Sequence, residues 1–171
     1  CRPDLRQLVK AALFTGARYS ELTGLRTSDF SESGARIYIR PAKSGRGRHV
    51  PLNAEGVDFL STACAGKSGD DYIFLRQDNG PWGKNHHVRL LKDACAQAKI
   101  EPAITFHELR HTYASLLAQA GADLLTISKL IGHADTRITS RHYAHLCDKT
   151  LAEAVCKSLP GFGHTPERKV R

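Results

Sequence analysis

Residues 107–143 read HELRHTYASLLAQAGADLLTISKLIGHADTRITSRHY. Leu109, Tyr113, Leu116 and Leu117 fall at helical spacing, so a helix is expected over about 107–118, ending at Gly121 as its C-terminal signal. Short helices follow over 123–131 and 136–143. On a helical wheel His107, Arg110, His111 and Ala114 share one face beside the leucine stripe. One side of that helix packs the domain, with Leu109 in the core, and the other is free for a ligand.

The N-terminal part continues the helical pattern and then breaks it. Leu5, Leu8, Val9, Ala12 and Leu13 follow helical spacing over 4–14, and a second short helix carries Arg18, Glu21, Leu22 and Leu25. ARIYIR alternates Ile37 and Ile39 against Tyr38 and Arg40, and HVPL follows the turn-rich PAKSGRGR, which predicts a basic hairpin with Lys43, Arg46 and Arg48 at or near its tip. A helix from Asn53, its N-cap, to about Cys64 comes next. DYIFLRQDNGPWGKN is a short apolar run and a loop, and Val88, Leu91, Ala94, Cys95 and Ala98 form one face of a further helix. Leu151, Val155 and Leu159 mark a last helix, and the tail 161–171 is loose. The expected class is mainly α with a small antiparallel β-sheet (α+β), one domain over residues 1–160.

Bulk properties narrow the functional classes. With 171 residues, 41% of them hydrophobic, the chain can bury a core without disulfides or metal. No apolar run is long enough for a membrane helix, and the start CRPDLRQLVKAALF is amphipathic rather than a signal peptide. The five cysteines (1, 64, 95, 147, 156) are odd in number and form no CxxC pair, so they read as reduced thiols in a cytosol. There is no methionine, which reads as a fragment or a trimmed chain. The formal charge of +8, from 25 Lys and Arg against 17 Asp and Glu, suits a polyanion, nucleic acid above all; an ordinary basic protein has the same balance. The motifs must decide.

Four segments occur in order: TGARYSELTGL with Arg18 and Glu21, AKSGRGRHVPL with Lys43, HELRH at 107–111, and LIGHADTRITSRHY at 130–143. Together they resemble the tyrosine recombinases, or phage integrases, across nearly the whole chain. The resemblance implies the catalytic-domain fold of that family, with Arg18 and Arg110 as the two catalytic arginines, Lys43 as the hairpin lysine, His107 and His133 as the two histidines and Tyr143 as nucleophile. Glu21 matches the acidic position beside the first arginine, and Arg46 and Arg48 become DNA contacts. The interval from His133 to Tyr143 is one residue longer than in many members.

The chemistry implied is cleavage and rejoining of DNA strands through a covalent 3′-phosphotyrosyl intermediate. Lys43 can give a proton to the leaving 5′-oxygen, which a guanidinium cannot. Forked arginine donors match phosphate oxygens. His107 and His133 can hydrogen-bond the phosphate or help take the tyrosine proton, and His111 is read as a supporting contact. No metal or nucleotide cofactor is required. The implied partner is double-stranded DNA, bound by a tetramer of the full-length protein, with the isolated domain a monomer. The N-terminal core-binding domain usual in that family is expected to lie outside these residues. The expected setting is the bacterial cytoplasm at the nucleoid, and the wording TRITSRHYAHL is closest to integrases of mobile genetic elements. The 149–159 helix suits either its own domain or a neighbour.

Taken singly, each residue has an ordinary reading: Arg18 a surface arginine, Lys43, Arg46 and Arg48 a solvated loop, Tyr143 a packed aromatic. Three competing functions remain. HELRH matches the zinc-peptidase pattern H-E-x-x-H, although Arg110 would set a permanent cation beside the metal. A type IB topoisomerase uses a similar residue set to relax DNA. A DNA-binding module without catalysis would not need the full set of reactive side chains.

Overall fold

The computed structural model describes residues 1–41, 47–133 and 135–144. Helix α1 (Pro3–Thr15) starts with proline at its first turn, where the missing N–H costs nothing, and with Asp4, whose carboxylate takes Arg2 Nη2 at 2.7 Å and the Gln77 N–H at 2.9 Å. It buries Leu5, Leu8, Ala11 and Ala12 and stops at Gly16, whose φ of +61° lets its N–H bond Ala12 O. Helix α2 is only Tyr19–Leu22, so Arg18 is its N-cap rather than a helical residue, and Leu25 lies beyond it in the core.

A single 3-10 turn, Thr27–Asp29, leads into β1 (Phe30–Ser31), which pairs antiparallel with β2 (Arg36–Ile39); β2 pairs with β3 (Arg48–Pro51) in the register Ile37↔Val50 and Ile39↔Arg48. The predicted hairpin is therefore two strands of a three-stranded sheet. A two-residue β1 leaves no period-two pattern for a sequence reading to find. Ile37, Ile39 and Val50 face the core. Helix α3 (Ala54–Cys64) has the expected cap, Asn53 Oδ1 accepting from Gly56 N at 2.8 Å. Helix α4 (His86–Gln97) buries Leu91 and Cys95 but leaves Val88 55% exposed, at the edge of the predicted face.

Helix α5 (Phe106–Gln119) crosses α1 and packs on α6 (Leu124–Ile131); α7 spans 136–144. Its buried face is Phe106, Leu109, Arg110, Ala114 and Ala118, and Leu116 is 58% exposed. The leucine stripe expected to pack the domain is thus turned partly outward. Alanines at 114 and 118 allow the close helix approach that leucines would prevent, so they take the inner face and draw Arg110 in with them. The core lies in two parts. The larger joins α1, the sheet, α3 and α4, and the smaller joins Ala114, Ala118, Ile127, Ile131 and Tyr143. Among the described residues no helix is long and apolar enough to cross a membrane. The last predicted helix and the tail lie outside the described residues.

Candidate active site

The first turn of α5 is set by a capping box: Thr105 Oγ1 accepts from His107 N at 3.2 Å, and the Glu108 carboxylate accepts from Thr105 N. The Thr105 side chain and backbone hold the Glu108 carboxyl below its ordinary value. A zinc peptidase would need that carboxylate as a base; here it closes the helix end. No group of three or more His, Cys, Asp or Glu gathers to hold a metal among the described residues.

One turn on, Arg110 is 3% exposed. Its Nη1 donates to Gly16 O at 2.8 Å, while Nη2 is buried with no partner among the described residues. Burial, then the neighbouring charges of Arg18 and Arg48, push this guanidinium down to about 10, with Glu21 and Tyr143 opposing. A desolvated cation with a spare donor, crowded by other cations, is built to receive an anion.

Glu21 ties two of those cations together. It accepts from Arg18 N at 2.8 Å and from Arg18 Nη1 at 3.0 Å, and its two oxygens take Arg48 Nη1 at 3.1 Å and Nη2 at 2.8 Å. Burial would raise this carboxyl, but the Arg48 bond, the Arg18 backbone and both charges hold it low. The sequence places Arg48 at or near the hairpin tip, as a DNA contact. Its side chain is instead 10% exposed, with Nε donating to Leu130 O at 2.7 Å as well. Strand β3 turns it inward, over α2 and the end of α6, so it braces the site rather than projecting from it. Gly132 ends α6 with φ +68° against that guanidinium; a Cβ there would lie 2.7 Å from Arg48 Nη1. Arg48 thereby connects the segment of Arg18 to the segment of His133.

His133 follows directly, its Nδ1 2.9 Å from Thr139 Oγ1 on α7. Burial first, then Arg110, Arg18, His111 and His142, push its imidazole down to about 4. Below the ordinary histidine value near 6.5 the unfolded chain takes up a proton that the folded chain refuses, so stability should fall as pH drops from about 6.5 to about 4. Thermal melting across that window checks this. His133→Gln should flatten part of the slope, His111 and His87, both also lowered by burial, carrying the rest. A variant with the wild-type slope would remove His133 from the account.

Tyr143 completes the cluster. It is 3% exposed, packed with α5 and α6, and its hydroxyl is hydrogen-bonded to His111 Nδ1. The His111 ring lies 4.5 Å from that of His107, edge-on, and 5.5 Å from that of His142. Burial raises the Tyr143 hydroxyl, with Arg110 pulling the other way. The structure therefore brings Arg18, Glu21, His107, Arg110, His133 and Tyr143 into one connected, mainly cationic cluster. Lys43 and Arg46 lie outside the described residues. The sequence reading gives His111 a supporting role, its one signal being its place four residues after His107 and next to Arg110. It did not find Thr139, which carries no signal of its own.

Residues 3–150 match the model of the phage integrase family. The chain is 36% identical over 152 residues to a tyrosine recombinase of Pseudothermotoga lettingae, covering 85% of this chain and 51% of that protein. It is 30% identical over 164 residues to the tyrosine recombinase XerD of Brucella suis, covering 91% and 52%. Among solved structures, the catalytic domain of bacteriophage HP1 integrase is similar with a TM-score of 0.67 and 30% identity, over 91% of this chain and 83% of that one. The Tn1549 transposon integrase in complex with circular intermediate DNA has a TM-score of 0.72 at 22% identity, over 87% and 58%, a likeness of fold. The chain has the catalytic-domain fold of the tyrosine recombinases. It belongs to the phage integrase family and spans about half the length of the curated relatives it matches.

Proposed function

We propose that this chain is the catalytic domain of a site-specific DNA recombinase that cleaves and rejoins strands through a 3′-phosphotyrosyl link. The observation that carries the reading is Arg110: a buried guanidinium with a spare donor, beside Arg18 and in the field of the Tyr143 hydroxyl. Clamping a phosphodiester between Arg18 and Arg110 satisfies that donor and neutralises the crowded charge, and the clamp holds tighter as charge builds on the non-bridging oxygens. Tyr143 Oη attacks phosphorus and the P–O5′ bond breaks. The leaving oxygen takes its proton from Lys43, and His107 and His133 hydrogen-bond the phosphate. The stored ester bond lets the strand be rejoined without a cofactor. The same reading has the longer protein acting as a tetramer on two duplexes, the isolated domain as a monomer, and both in the bacterial cytoplasm at the nucleoid, on a mobile element.

The test uses the purified protein in EDTA with nicked duplexes bearing a randomised centre, from which covalent adducts are recovered and the preferred sequence rebuilt. Wild type should give a covalent protein–DNA band and Tyr143→Phe none, while DNA retention is unchanged. A band with the phenylalanine variant would move the nucleophile elsewhere. Binding without a band in either protein would leave a binding module.

A further inference from the structure

The residue that receives the Tyr143 proton is open in the scheme above, and the structure offers a third histidine for it. The sequence reading gives His111 a supporting role, and in the fold its Nδ1 is hydrogen-bonded to the Tyr143 hydroxyl, the reacting oxygen. His133 has its Nδ1 on Thr139 instead, and His107 meets the His111 ring edge-on with 4.5 Å between ring centroids. We infer that His111 is the general base of the cleavage step, accepting the Tyr143 hydroxyl proton at Nδ1 as phosphorus is attacked. This rests on the recombinase reading and adds to it the fate of one proton.

The groups around His111 suit that task. From its own helix it faces His107, Arg110 and Glu108, and from α7 it faces His142 and Tyr143. Burial, His107, His142 and Arg110 all favour the neutral ring, with only Glu108 opposing, so His111 is unprotonated and has an acceptor nitrogen at neutral pH. Neutral imidazole carries one N–H, so the assignment requires the hydrogen on Nε2 and the lone pair on Nδ1, toward Tyr143. The balance closes. The Oη–H bond breaks, the proton moves to Nδ1, the Oη–P bond forms, and the P–O5′ bond breaks with a proton from the general acid. In rejoining, the imidazolium returns its proton to Oη as the phosphotyrosine bond breaks. A phosphodiester bound to Arg110 neutralises a charge that otherwise opposes a protonated His111, so substrate binding itself makes the ring a better proton acceptor.

The experiment uses the rebuilt nicked duplex with sulfur in place of the bridging 5′-oxygen. A thiolate leaves without a proton, so the pH dependence reports the tyrosine side alone. Wild type should cleave at a rate that is level around neutrality. His111→Ala and His111→Asn should both be slower at neutral pH by about a hundredfold. Both should then climb toward the wild-type rate as pH rises and hydroxide removes the tyrosine proton. Asparagine sets an acceptor oxygen where Nδ1 lies, so if His111 only positions Tyr143 the asparagine variant will cleave like wild type, and the proposal is overturned. A loss of equal factor at every pH overturns it as well. A check that needs no variant is the ¹⁵N chemical shift of the ring: Nδ1 should be unprotonated, and a protonated Nδ1 in the free protein ends the proposal. Failure of the recombinase reading looks different, since wild type itself would then form no Tyr143-dependent adduct.

Discussion

Arg110→Met should lower strand cleavage by about a thousandfold while the melting midpoint stays level or rises. The two effects come from the same atoms. In the folded chain the guanidinium has lost its water, keeps one bond to Gly16 O, leaves Nη2 unused, and sits near two further arginines. Taking an ion out of water costs several kcal/mol, a penalty that an apolar side chain of similar volume does not carry. Losing the charge-assisted bond to Gly16 O costs roughly 1.5–3 kcal/mol against that. For a chain of this size the midpoint should lie between unchanged and roughly 10 °C higher. Cleavage falls because methionine offers the phosphate nothing. Arg110→Lys keeps the charge but not the fork, and should lose both activity and the stability gain. Cleavage of the nicked duplex and calorimetry on the same samples read both arms. A midpoint several degrees lower for the methionine variant would make Arg110 a structural strut instead.

Gly16→Ala should be the most damaging of the small substitutions, with a cost of about 3 kcal/mol. The residue ends α1 in the left-handed region at φ +61°, where a side chain costs about 1 kcal/mol or more. The new Cβ would also lie 2.3 Å from Tyr113 Cδ1, so the ring must move within a packed α1–α5 contact, at about 1–3 kcal/mol. The midpoint should fall by roughly 10 °C. Cleavage should fall further than stability alone predicts, because the Gly16 carbonyl that orients Arg110 moves with the backbone. Melting within about two degrees of wild type would show that Tyr113 has room the packing does not suggest.

Much of the architecture was legible because its signals are local. The helical spacing of Leu5, Leu8 and Ala12, Asn53 as a cap with its side chain on a nearby N–H, and the alternation of Ile37 and Ile39 each act within a few residues. The site residues were legible for another reason. Their types and order resemble one family, and residues that must meet at one phosphate carry restricted chemistry. What the chain alone could not give was which way each side chain turns. Arg48 and its neighbours in the PAKSGRGRHV stretch read alike as surface cations, and only the pairing of β2 with β3 turns Arg48 inward onto Glu21 and Leu130.

By itself, then, the sequence determined the mainly helical class, the sheet near the N-terminal third, the family and the set of candidate groups. The tertiary structure alone decided that Arg110 is buried with a spare donor and that Tyr143 is packed and bonded to His111. It also decided that the Glu108 carboxylate closes a helix end. The reason is range. Capping and periodicity act between neighbours in sequence, whereas desolvation and hydrogen bonding in the site depend on segments more than a hundred residues apart, from α1 to α7, whose meeting is set by the close approach of α5 to α1 and α6.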